Sequence, residues 1–127
     1  MMLRIVILLA CLLLAVETGS QPLSIITLQN AQSADANGVT QSLATYSVAT
    51  LQVIISGAIV VNFEVSIDGT NYFSLYCQNG GSPTKSESAR SSSLWMCPVG
   101  GVNYIRARTS GSTGSPSATV TLVLSGQ

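Results

Sequence analysis

The chain has 127 residues, no histidine, and five basic residues balanced by five acidic ones. Only 8% of it is charged, against about 25% in ordinary domains, and 46% is hydrophobic. This composition argues against a nucleic-acid surface, which needs clustered basic residues to meet phosphates, and it removes the usual general base of acyl-transfer chemistry.

The first twenty residues have the pattern of a targeting segment. Arg4 precedes an unbroken apolar run of twelve residues, Ile5 to Val16, and Glu17-Thr18-Gly19-Ser20 ends it. A charged start, a short apolar stretch and a small polar exit match a secretory signal, whereas a membrane-spanning helix needs ~20 apolar residues. Residues 1–20 are therefore expected to be a signal peptide. The other reading is a retained apolar helix that anchors the protein to a membrane. Leu8-Leu9-Ala10-Cys11 has the outline of a lipobox, but Leu12 to Val16 stay apolar where a lipoprotein has a polar tether. Cys11 is better read as one more apolar residue of the run.

Residues 21–127 are enough for one domain with one core. Lys85, Arg90, Arg106 and Arg108 balance Asp35, Glu64, Asp68 and Glu87 in this part. Its apolar residues alternate with period two. Leu51, Val53 and Ile55 form one such row, Val61, Phe63, Val65 and Ile67 another, and Ala118, Val120, Leu122 and Leu124 a third. Alternation of this kind marks half-buried strands. It predicts strands at 23–29, 39–46, 48–56, 59–67, 72–77, 92–98, 102–109 and 117–125. Asn37-Gly38, Ser56-Gly57, Asp68-Gly69, Gly80-Gly81 and Gly100-Gly101 supply the turns, and 111–116 reads as a polar loop. Ser86 to Ser93 reads as a loop running into an edge strand. The expected fold is all-β: an antiparallel β-sandwich or jelly-roll-like domain of about eight strands, preceded by an N-terminal apolar helix.

Cys77 and Cys97 are the cysteines beyond the apolar run. In an exported chain an even count implies a disulfide, and in a cytosolic assembly two buried thiols. Trp95 alternates in phase with Cys97 and belongs to the core.

Little in the chain supports catalysis. Glu64 and Asp68 would stand about 13 Å apart along one strand at ~3.3 Å per residue, beyond the reach of a glycosidase pair. Asp68, Gly69 and Asn71 read as a tight hairpin turn, which needs no metal. Neither a catalytic site, a metal site nor a cofactor is expected. Tyr104, Arg106 and Arg108 alternate with Ile105 and Ala107 and should share the outer face with Glu64. They form either ordinary cross-strand pairs or a face able to hold surface glycans. No Asn begins an N-x-Ser/Thr sequon.

Phe63 to Leu75 (FEVSIDGTNYFSL), Gly101 to Gly111 (GVNYIRARTSG) and the Thr/Val-rich strand Ala118 to Leu124 resemble a domain of tailed-bacteriophage virion structural proteins. That domain carries a DGTNW turn, an R-x-R strand ending in Ser-Gly and a T-V-T-V strand. The resemblance covers roughly residues 51–125, with Tyr72 in place of the tryptophan. It implies a non-enzymatic β-sandwich of a capsid decoration, head fibre or tail appendage. Its implied partners are copies of itself or a capsid or other shell protein, on a virion surface or in an extracellular assembly. The alternative is an exported or membrane-anchored adhesin that holds glycans. Membrane contact is expected only through residues 1–20.

Overall fold

A computed structural model describes residues 23–127, and the expected apolar helix and export signal lie outside them. The described residues contain strands and no helix. β1 is Ile26–Gln32, β2 Gln41–Ser42, β3 Val48–Ser66, β4 Phe73–Ser74, β5 Cys77–Asn79, β6 Lys85–Ser86, β7 Ser88–Ala89, β8 Ser93–Pro98 and β9 Tyr104–Ser125. All pair antiparallel in one sheet, with the path β1-β9-β3-β8-β5-β6. β2 adds to β9, and β4 and β7 add to β3.

Four of the expected strands prove to be two. Segments 48–56 and 59–67 join as β3, and segments 102–109 and 117–125 join as β9. The two long strands pair from Val48↔Ser125 to Ser66↔Tyr104. Ser56-Gly57 is therefore no hairpin turn, and 111–116 is no free loop. Register shifts on either side of Ala58, which pairs with Thr113, mark the place where the ribbon bends. Gly57 has φ +79, and a Cβ there would stand 3.0 Å from the Cα of Pro116, so the bend needs a residue without a side chain.

The bend folds the sheet into two layers. One contains β1, the second half of β9, the first half of β3, β8, β5 and β6. The other contains β2, the first half of β9, the second half of β3, β4 and β7. Ala49, Leu51, Val53, Val120 and Leu122 face Val61, Phe63, Ile105 and Ala107 in a single core, all of them nearly inaccessible. Phe63 from one layer meets Trp95 from the other at 5.3 Å between ring centroids, tilted by 53°. Trp95 Nε1 donates to Ser93 Oγ at 2.7 Å, so the indole is buried without losing its hydrogen bond. Every buried side-chain nitrogen and oxygen among the described residues has a partner.

Four further expectations change. Ile67 was expected inward with Phe63 and Val65, but β3 ends at Ser66 and Ile67 is 67% exposed, because the turn at Asp68 redirects the chain. Segment 39–46 forms only the short β2, after which Leu43 tucks into the core. Segment 72–77 divides into β4 and β5, which pair with different strands. The serine-rich segment contributes β7, against β3.

Cys77 and Cys97 form a disulfide between β5 and β8. Both are buried in the core, and the bridge closes a loop of 20 residues. In the chain-entropy account such a loop contributes ~3 kcal/mol. Reduction under mild denaturant should lower the unfolding free energy by ~2–4 kcal/mol, read as a lower urea midpoint. Phe63→Ala should cost ~3–5 kcal/mol, since it empties a site packed from both layers. Denaturation monitored by Trp95 fluorescence reads both effects.

Candidate functional site: the outer tyrosine–arginine face

The turn after β3 is built from its own side chains. Ser66 Oγ donates to Asp68 Oδ1 at 3.0 Å and accepts the Gly69 N–H at 2.9 Å. Asp68 Oδ1 accepts the Thr70 and Asn71 N–H groups at 2.9 and 2.8 Å, and Asn71 Nδ2 donates to Oδ2 at 2.7 Å. The Asn71 N–H, followed by that of Thr70, holds the Asp68 carboxyl well below the usual carboxylate range. Gly69 has φ +77, and a Cβ there would lie 3.3 Å from Tyr104 Cε2, so the tyrosine ring packs on the turn. Asp68, Gly69 and Asn71 thus form a closed Asx turn whose acceptors are engaged internally. The described residues hold no group of three or more His, Cys, Asp or Glu placed to take a metal ion.

Period-two alternation carries Tyr104, Arg106 and Arg108 to the outer face of β9, and register brings Glu64 opposite Arg106. Arg106 Nε donates to Glu64 Oε1 at 2.9 Å, and Arg108 Nε donates to Oε2 at 3.0 Å. The Glu64 side chain is 11% exposed, that of Arg106 18% and that of Arg108 37%. Burying the carboxylate is costly, and two guanidinium partners offset that cost. The Tyr72 ring covers Arg106, with Cζ 3.7 Å from its centroid, in cation–π geometry. Tyr72 Oη and Thr40 Oγ1 are 2.8 Å apart and tie the ring to the segment before β2. Asn62 Nδ2 donates to the Arg108 carbonyl at 2.9 Å and to Ser110 Oγ at 2.8 Å.

Of the four residues singled out from the sequence, Glu64, Arg106 and Arg108 therefore turn their charged groups on one another, whereas the Tyr104 ring packs on the turn at Gly69 and Tyr72 is the aromatic that covers Arg106. Sequence reasoning missed Thr40 and Asn62 as supports, because neither has a local pattern that marks it. It also missed Asp35. The Ser112 N–H donates to Asp35 Oδ1 at 3.0 Å and, as the largest influence, lowers its carboxyl. Asp35, Asn37 and Arg108 border a shallow hollow of ≈280 Å³ at the edge of the face.

The apolar surface lies elsewhere. Ile54, Leu94 and Met96 are about half exposed on the outer side of the other layer. No charged residue occurs in β1, β8, segment 48–56 or segment 117–125, which make up most of that layer. Ile67 and Phe73, both about two-thirds exposed, border a hollow of ≈450 Å³ with Val65 and Val102.

The chain matches no known family model and no curated protein sequence. Its fold recurs in solved structures of phage-derived proteins. The SPBc2 prophage-derived protein YomS superposes with a TM-score of 0.73 at 13% identity, over 82% of this chain and 94% of that one. The PBSX exported protein XepA gives 0.66 at 14% identity, over 83% of this chain and 39% of its own. The all-β fold is thus one that phage-derived proteins use. The chain spans well under half of XepA.

Glu64→Gln should destabilise the protein by ~1–3 kcal/mol, because it leaves two half-covered guanidinium groups without their carboxylate. Chemical denaturation of the variant measures this. Asp68 sets a pH dependence whose sign follows from its lowered folded pKa. Its contribution is full above the unfolded value of ~3.9 and is lost as pH falls toward the folded one. The stability difference between wild type and Asp68→Asn should be constant near neutrality and shrink in acid; urea midpoints across pH read it.

Proposed function

We propose that this chain is a non-enzymatic structural module of a virion surface or similar extracellular assembly. One observation carries the reading. An outer sheet face whose one charged strand residue is Lys85, on the short edge strand β6, presents Ile54, Leu94 and Met96 to solvent, while Glu64, Arg106, Arg108 and Tyr72 of the opposite face are engaged with each other. Exposed apolar residues gathered on a flat sheet mark surfaces that neighbouring molecules cover. A net charge of zero leaves little repulsion between copies. The disulfide suits an oxidising compartment, and the fold shared with a prophage-derived and an exported phage protein supports a phage setting. Copies of the chain or a shell protein would be the partners. The role is one of shape, as the resemblance of the DGTNY and RAR segments to virion domains implies.

A second reading draws on Arg108, whose outer edge faces the hollow beside Asp35 and Asn37. A guanidinium, a carboxylate and a carboxamide around one hollow offer the planar hydrogen-bonding groups that sugar hydroxyls require. An exported or anchored glycan-binding module would use this edge.

The two readings predict different behaviour. In the first, the protein associates with rising concentration in analytical ultracentrifugation, and Met96→Glu with Leu94→Glu abolishes association while the circular dichroism stays native. Protein that remains monomeric at the highest attainable concentration and binds no shell protein sinks this reading. In the second, a glycan array gives signal that Arg108→Ala removes; background binding throughout dismisses it.

A further inference from the structure

The chain contains two Asn-Gly dipeptides, Asn37-Gly38 and Asn79-Gly80, and the fold treats them differently. Asn79 lies in β5, opposite Trp95. The Gly80 N–H donates to the Leu94 carbonyl at 2.7 Å, and Asn79 Oδ1 accepts the Gly81 N–H at 2.8 Å. Nucleophile and electrophile are both held. A third residue of related chemistry, Asp68 before Gly69, is held as well, its carboxylate engaged and the Gly69 N–H on Ser66 Oγ.

Asn37-Gly38 lies outside any strand, and both residues are exposed. Among the described residues, the Asn37 side chain and the Gly38 N–H make no hydrogen bond. Gly38 has φ +73 and packs so closely on Gln29 and the Ala107 carbonyl that only glycine fits. The fold therefore requires, next to an unrestrained asparagine, the one residue that offers an attacking amide no steric shield.

We propose that Asn37 is a site of spontaneous backbone-assisted deamidation in the folded protein. The Gly38 amide gives its proton to solvent base, and its nitrogen attacks Asn37 Cγ. A new C–N bond closes a five-membered succinimide, and the bond from Cγ to the side-chain nitrogen breaks to release ammonia. Water then opens the ring at either carbonyl, leaving aspartate or isoaspartate at position 37. The sequence is redox-neutral and uses only water. It places a new negative charge in the hollow shared by Asp35 and Arg108. Arg106 and Arg108 currently face Glu64 and Asp35, so the product adds an uncompensated carboxylate at the edge of the tyrosine–arginine face.

The two dipeptides form an internal control. Folded full-length protein is incubated in mildly alkaline buffer, and tandem mass spectrometry locates the gain of one mass unit. Asn37 should convert about tenfold or more faster than Asn79, because reaction at Asn79 first requires local opening of its strand. In reduced, urea-unfolded protein the two should convert at similar rates. Asn37→Gln should abolish the acidic species that anion exchange resolves from aged wild type. Folded protein in which Asn79 converts as fast as Asn37 overturns the proposal. So does Asn37 that stays an amide while the unfolded control reacts.

Discussion

The pairing of β3 with β9 is the constraint on which the rest of the molecule depends. Each strand runs through both layers, and both bend at the same level, where Gly57 meets Pro116. The bend turns one sheet into two facing surfaces, with no chain left over to cross between them. The alternating residues of a single strand then supply both walls of the core: Leu51 and Val53 on one side of the bend, Val61 and Phe63 on the other. Burying them removes from water the apolar area that drives folding, with each large side chain contributing ~1.5–3 kcal/mol. The shorter strands add to this ribbon at its edges.

The disulfide and the tyrosine–arginine face are consequences of that arrangement. β8 lies beside the first half of β3, and β5 beside β8, which brings Cys77 against Cys97. On the other layer the same ribbon sets Glu64 between Arg106 and Arg108. The carboxylate is nearly covered, and its two partners make that tolerable. Tyr72, delivered by the closed turn at Asp68, caps Arg106 and is itself fixed by Thr40. The charged groups of this face are engaged apart from the outer edge of Arg108. The opposite layer, where Lys85 is the one charged strand residue, leaves Ile54, Leu94 and Met96 about half exposed. This asymmetry, one face satisfied and one face open, is the physical basis for reading the chain as a building module.

Alternation with period two announced the inward rows around Leu51, Phe63 and Leu122, because burying one side of a sheet constrains every second residue. It placed Glu64, Arg106 and Arg108 outward for the same reason. The Asp68-Gly69-Asn71 turn was equally legible, since its hydrogen bonds span only a few residues. Ser56-Gly57 was misread, because a glycine that permits a hairpin turn equally permits a bulge within one continuous strand. Ile67 was misread because alternation does not report where a strand stops.

What the sequence determined by itself was the fold class, the two-sidedness of each strand and the local turns, all of which are encoded within a few neighbouring residues. Only the tertiary structure decided that four strands are two, that the sheet folds over at Gly57, that Cys77 meets Cys97 and that Tyr72 lies on Arg106. Those facts depend on which distant segments pair. A period-two pattern states which face a residue takes but not which strand lies beside it, so the partner is selected only when the whole core closes.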